Sequence, residues 1–182
     1  MGLLGFLLSD KEGLTYEENL KKVILDRLKL ENTIVNLTEN HKDSYNRGFY
    51  KYNRVGSLSF GLIASPLNLE NGMAGAGGIR SSGEDMLSFL KAVIGNKDDF
   101  IALSKEAFFE IDEHESMGLG WIIDKNFIED YTIIWHNGQT MGFSCFIGIV
   151  EDKNAGFFLL TNTSDIDFNS IAKEILSIMS ND

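Results

Sequence analysis

Cysteine is nearly missing from this sequence: Cys145 stands alone, so the chain cannot close an internal disulfide, and its place in an apolar run marks it as a buried thiol. Histidine is almost as scarce. His41, His114 and His136 are far apart and lack ligand spacing, which leaves no metal site. The apolar stretch Leu3 to Leu8 is too short to span a bilayer and has no basic residue ahead of it, so it is neither a membrane segment nor a signal peptide. Phe6 occupies the place where a myristoylation signal needs Ser or Thr. Lys and Arg do not cluster. The charge of -11, from 16 basic and 27 acidic side chains, is spread along the chain, which argues against nucleic acid and for a solvated surface. With no signal peptide or transmembrane segment in this chain it is expected to be cytoplasmic as expressed, while the native compartment stays open. Asn36-Leu37-Thr38 and Asn162-Thr163-Ser164 fit the glycosylation pattern, which matters only in a secretory pathway.

What is present is enough apolar residue, 43% of 182, for one core, and a single domain over residues 1–182 is expected. Residues 1–115 read as mainly helix and loop. Residues 2–9 are helical, and 15–28 form an amphipathic helix with Leu20, Val23, Ile24 and Leu28 on one face and Thr15 and Glu18 as a capping box. Residues 33–80 are rich in Asn, Gly and Ser and read as loop. Ser82, with Glu84 and Asp85 behind it, starts a helix, and a second helix covers 97–109. Residues 116–182 read as antiparallel strands near 120–123, 131–135, 143–150 and 156–161, closed by a helix over 166–179. The class is α+β, an antiparallel sheet with flanking helices. The glycines at 75, 77, 78 and 83 fail both nucleotide-loop patterns, because Arg80 and Glu84 stand where Gly and Lys are needed, so they read as a turn into the helix.

Four pieces recur in a familiar order: Leu3-Leu4-Gly5 with Tyr16-Glu17-Glu18; Ala76-Gly77-Gly78-Ile79; Gly118-Leu119-Gly120-Trp121; and His136-Asn137-Gly138 followed by Gly142-Phe143-Ser144, with a second apolar strand ending at Thr161-Asn162. In that order they resemble the penicillin-recognizing serine hydrolases, specifically the class C β-lactamase-like branch. Arg27 and Lys29 depart from the Pro and Gly usual in one family turn. The resemblance implies an incomplete β-lactamase/transpeptidase-like fold and an acyl-enzyme reaction on a β-lactam, a peptidoglycan peptide or an ester, with no metal or organic cofactor. It places His136 at the Lys-or-His position of the cleft wall and Asn137 at the hydroxyl position beside a substrate carboxylate. Gly138 falls where a bare backbone lets substrate lie flat, and Gln139 where a backbone N–H serves the oxyanion hole.

The same resemblance implies that the nucleophile is absent. The family's Ser-x-x-Lys and Tyr-x-Asn precede everything named above, and Met1 falls about where the Tyr-x-Asn would end. Ser88-Phe89-Leu90-Lys91 and Ser170-Ile171-Ala172-Lys173 fit the four-residue pattern, but they sit at the wrong place in the order, inside apolar helical stripes; Ser44-Tyr45-Asn46 is likewise misplaced. The chain alone is therefore expected to be inactive, binding a small-molecule or peptide substrate only when completed by an N-terminal part. A different class of function is a non-catalytic binding or assembly module. In relatives the strand from Phe157 to Thr161 pairs with an N-terminal strand, so residues 156–162 are expected to offer an open edge for self-association.

Overall fold

The computed structural model describes residues 1–55, 58–69, 71–128, 131–164 and 166–179. The chain folds as two compact units. The first holds Met1–Phe89, Gln139–Ser144 and Thr161–Asp165; the second holds Leu90–Gly138, Cys145–Leu160 and Ile166–Asp182.

In the first unit, α1 (Gly2–Lys11) lies on a 3-10 turn at Asn71–Ala76, with its glycines in the closest approach to it and Phe6 beside Gly72. A Cβ on Gly2 would lie 2.5 Å from the Gly72 carbonyl, and one on Gly5 would lie 2.8 Å from the Tyr16 ring. The buried Ser9 hydroxyl donates back to the Gly5 carbonyl at 2.8 Å. Thr15 then caps α2 (Tyr16–Leu20) with the expected box: its hydroxyl accepts from Glu18 N at 3.2 Å, and Glu18 Oε2 accepts from Thr15 N at 2.8 Å. The helix does not continue regularly. A π turn at Lys21–Leu25 widens it before α3 (Asp26–Leu28), so the buried face carries Leu25 and Leu28, while Val23, expected inside, is exposed.

Residues 33–80, expected to be loop, contain a hairpin. Strands β1 (Gly48–Val55) and β2 (Leu58–Ala64) pair antiparallel, with a register shift between Phe49 and Tyr52. Two side chains bind the surrounding loops. Arg80 donates to the Val35, Gly78 and Leu67 carbonyls. Glu17 accepts from Val35 N at 2.7 Å, Asn36 N at 3.1 Å and Asn36 Nδ2 at 2.6 Å.

Burial alone would push the Glu17 carboxyl up, but the Val35 and Asn36 donors and nearby His41 outweigh it and hold the carboxyl below its ordinary range. A lowered folded pKa gives stability that is complete above the unfolded value and is lost as pH falls through the folded one. Glu17→Gln is therefore expected to lower the melting temperature at neutral pH, and the gap from wild type should close in acid. A gap independent of pH would contradict this role.

The second unit carries most of a six-stranded sheet of order β3 to β8, in chain sequence: β3 (Phe109–Glu110), β4 (Glu115–Met117), β5 (Ile122–Ile128), β6 (Tyr131–Thr140), β7 (Phe143–Val150) and β8 (Ala155–Thr161). The β3–β4, β4–β5 and β5–β6 pairs are antiparallel, with Ile122 opposite Trp135 and Asp124 opposite Ile133. Within this unit, α6 (Phe168–Met179) supplies Phe168, Ala172 and Leu176 to a core with Phe127, Ile133, Trp135, Phe146 and Val150.

Helix α4 (Gly83–Ile94) begins at Ser82, whose hydroxyl accepts from Asp85 N at 3.1 Å. The helix expected over 97–109 is shorter, α5 (Asp99–Ser104). It ends at Lys105, whose buried side chain donates to the Val93 carbonyl at 3.1 Å and pairs with Glu151. Phe109 then joins the sheet.

Candidate functional site

Strand β6 changes character at Trp135. Ile133, Ile134 and Trp135 are buried; His136, Asn137 and Gln139 are exposed, with half-buried Gly138 among them. The four candidate wall residues are thus consecutive on one strand. His136, Asn137 and Gly138 belong to the second unit, and Gln139 to the first.

His136 Nδ1 lies 2.6 Å from the Asn137 carbonyl oxygen. A carbonyl can only accept, so this nitrogen carries the proton and Nε2 is left for a ligand. The neutral ring there offers a lone pair; the charged ring offers an N–H. A hydrogen bond of this kind is what any strand-end histidine makes, so the position beside Asn137 and Gly138 is what distinguishes it.

Gly138 has a second reason to be glycine. A Cβ there would stand 3.0 Å from Cys145 Sγ on the neighbouring strand β7. Cys145 itself is exposed, which corrects the expectation of a buried thiol: Ser144 and Phe146 take the inward positions of β7, and alternation turns the residue between them outward. Packing of its sulfur nevertheless desolvates the thiol and raises its pKa, against a weaker lowering by a Gly138 backbone hydrogen bond. Parity with Phe146 is the sequence signal that turns Cys145 away from the core.

In the first unit, polar groups fix the residues that follow the wall. Gln139 Nε2 donates to the Ser164 carbonyl at 2.7 Å, and the Ser144 hydroxyl to the Thr163 carbonyl at 2.9 Å. Phe49 N donates to both the Gly142 carbonyl at 3.1 Å and the Asn162 carbonyl at 2.9 Å. Asn162 Nδ2 donates to the Arg47 carbonyl at 2.9 Å. Thr140 closes against Gly77, which sits at φ +145: a Cβ on that glycine would lie 3.0 Å from Thr140 Cγ2.

The serine candidates lie elsewhere on their elements. Ser88 and Lys91 are exposed on α4, and no hydrogen bond joins them among the described residues. Ser170 is exposed on α6, and Lys173 is engaged over the Phe127 ring, 5.5 Å from its centroid. Tyr45 packs on Phe143 at 5.6 Å between centroids, with Arg80 over its ring, while the Ser44 hydroxyl donates to the His41 carbonyl at 3.2 Å.

The glycines before α4 serve close packing: a Cβ on Gly78 would lie 2.7 Å from the Ala74 carbonyl. The Asp85 carboxylate faces Asn32 N and the Thr33 hydroxyl, at 2.8 and 2.6 Å. His41 accepts at the turn beginning at Thr38, and His114 lies 3.3 Å from Glu113. Among the described residues no group of three or more His, Cys, Asp and Glu side chains could hold a metal ion, and no helix is long and apolar enough to cross a membrane.

The Beta-lactamase family model matches residues 1–178. A Beta-lactamase of Yersinia enterocolitica is 28% identical over 201 residues, covering 89% of this chain and 49% of that protein. The chain therefore spans about half the length of this curated relative. Among solved structures, a class C beta-lactamase in complex with cefoxitin superposes with a TM-score of 0.81 at 19% identity, over 97% of this chain and 56% of that one. The octameric penicillin-binding protein homologue from Pyrococcus abyssi superposes with a TM-score of 0.74 at 21% identity, over 93% of this chain and 39% of that one.

Proposed function

Because the chain belongs to the beta-lactamase family of serine hydrolases, we propose that it supplies the substrate-facing wall of an acyl-transfer site and does not acylate on its own. One contrast carries this reading. The His136-Asn137-Gly138 end of β6 is open to meet a ligand, whereas neither Ser-x-x-Lys string brings its hydroxyl to its lysine. A serine attacks an acyl group only when a base within hydrogen-bond reach takes its proton, and neither Ser88 nor Ser170 has one in its own motif.

The wall residues have separate roles. His136 Nε2 hydrogen-bonds the substrate or the surroundings of the attacking hydroxyl, Asn137 donates to a substrate carboxylate, and Gly138 keeps the strand open. The Gln139 backbone N–H is one oxyanion donor, a contribution of about 3 kcal/mol to acyl transfer in an assembled site. In a full-length relative the substrate is a β-lactam, a peptidoglycan peptide or a small ester, opened through a serine acyl-enzyme without metal or organic cofactor. Turnover of a chromogenic penicillin or ester by the 182-residue chain is expected to match buffer, and to stay there in Ser88→Ala and Ser170→Ala. Turnover abolished by either substitution would overturn the proposal.

A second reading, a non-catalytic assembly module, is favoured by the position of β8 at one end of the sheet order. Its residues Ala155 to Phe158 are half-buried and Leu160 is exposed, so an added strand along 156–161 would cover apolar surface and pair the edge up to Asn162, whose carbonyl already accepts from Phe49 N. Association should then slow amide exchange in this strand as concentration rises. A sharp monomer peak with fast exchange there would count against it.

A further inference from the structure

Every polar group of Ser164 is engaged. Its N–H donates to the Phe49 carbonyl at 3.3 Å and its hydroxyl to the Tyr50 carbonyl at 2.8 Å, both on β1, and its own carbonyl accepts from Gln139 Nε2 at 2.7 Å. The residue before it is tied down in the same way: Thr163 bridges Phe49 in parallel, and its carbonyl accepts from the Ser144 and Thr161 hydroxyls at 2.9 and 3.1 Å. All of these groups belong to the first unit. The fold therefore holds one carbonyl still, and the side chain that reaches it belongs to the last of the four wall residues.

We propose that the Gln139 side chain is a positioning group for the backbone N–H of the same residue. The inference rests on the reading above, in which that N–H is an oxyanion donor. The plane of the peptide that carries it is set by ψ of Gly138 and φ of Gln139. Glycine restrains its own dihedral least of all residues, so the restraint falls on the pairing of the strand and on the Gln139 side. A side chain anchored at Ser164 supplies it, because the peptide cannot swing without stretching a 2.7 Å hydrogen bond whose acceptor is itself fixed by β1. An oxyanion donor works only when it is held in advance, and a misplacement of about 1 Å can cost about 100-fold in rate. A glutamine that merely satisfied the Ser164 carbonyl would leave its own N–H no better ordered, and this separates the two roles.

The test is 15N relaxation of the full chain in wild type, in Gln139→Met, which keeps the length of the side chain and removes its donor, and in Gln139→Glu. The order parameter of the N–H at position 139 is expected near the about 0.85 of rigid backbone in wild type and to fall towards about 0.6 in Gln139→Met. Gln139→Glu should match Gln139→Met at neutral pH, where a carboxylate faces a carbonyl, and recover below about pH 4, where the protonated acid donates to Ser164 as the amide does. Gln139 is exposed, so neither substitution disturbs the core. Equal order at position 139 in wild type and Gln139→Met would overturn the proposal, as would a Gln139→Glu variant that stays loose in acid while wild type remains ordered there. None of these results depends on acylation. A penicillin adduct formed through Ser88 or Ser170 would overturn the wall reading without moving the order at position 139.

Discussion

Phe146→Ala is expected to destabilise the protein by about 4 kcal/mol, enough to remove much of the stability of a domain this size. Phe146 is 1% exposed and is the hub of the second unit's aromatic cluster. Its ring stacks on Trp135 at 5.4 Å and on Phe157 at 5.5 Å, and Phe127 and Phe168 tilt against it at 6.3 and 6.4 Å. Truncation removes these contacts and leaves a cavity that the four surrounding rigid rings cannot collapse to fill. Phe109→Ala is the control: that ring is exposed, and the change should cost less than about 0.5 kcal/mol. The shift in urea midpoint measures both, and equal shifts would show that the cluster does not anchor the core.

Gly142→Val is expected to cost about 3 kcal/mol, through backbone strain and overpacking rather than a cavity. Gly142 sits at φ +74, which a β-branched residue resists, and a Cβ there would lie 2.6 Å from Phe49 N and 2.7 Å from Ala64 Cβ. Both neighbours belong to the hairpin of β1 and β2, and Phe49 N already donates to the Gly142 carbonyl. The valine must therefore push apart the strands that hold the turn. Gly13→Ala separates the two causes. It has φ +67 but nothing within 4 Å of its Cβ, so only the dihedral cost of about 1 kcal/mol should appear. If the two variants unfold at the same urea concentration, close approach of the hairpin is not what makes Gly142 irreplaceable.

The parts of the fold that are legible in the sequence are those with uninterrupted periodicity. The Thr15–Glu18 box, the start of α4 at Ser82 and strands β7 and β8 all follow from local chemistry that nothing remote overrides. The hairpin of β1 and β2 escapes such a reading. Leu58, Phe60 and Leu62 do alternate with Ser59 and Gly61, but within a stretch whose Asn, Gly and Ser content reads as loop. The π turn that exposes Val23 and the inward turn of Lys105 depend on partners outside their own periodic pattern, which periodicity cannot register. At the candidate site, His136, Asn137, Gly138 and Gln139 are proposed through the family resemblance of their order, since no local pattern of their own marks them as a ligand-binding wall. The outward thiol of Cys145 is legible by parity, but its apolar neighbours point the other way. What no motif gives is the His136 tautomer, which rests on the Asn137 carbonyl lying 2.6 Å away.

Whether a family wall is present here without its attacking hydroxyl is best decided by intact-protein mass spectrometry of the chain after exposure to a fluorescent penicillin. The mass should be unchanged and no fluorescence retained. A stoichiometric covalent adduct that disappears in Ser88→Ala or Ser170→Ala would show instead that the chain carries its own nucleophile.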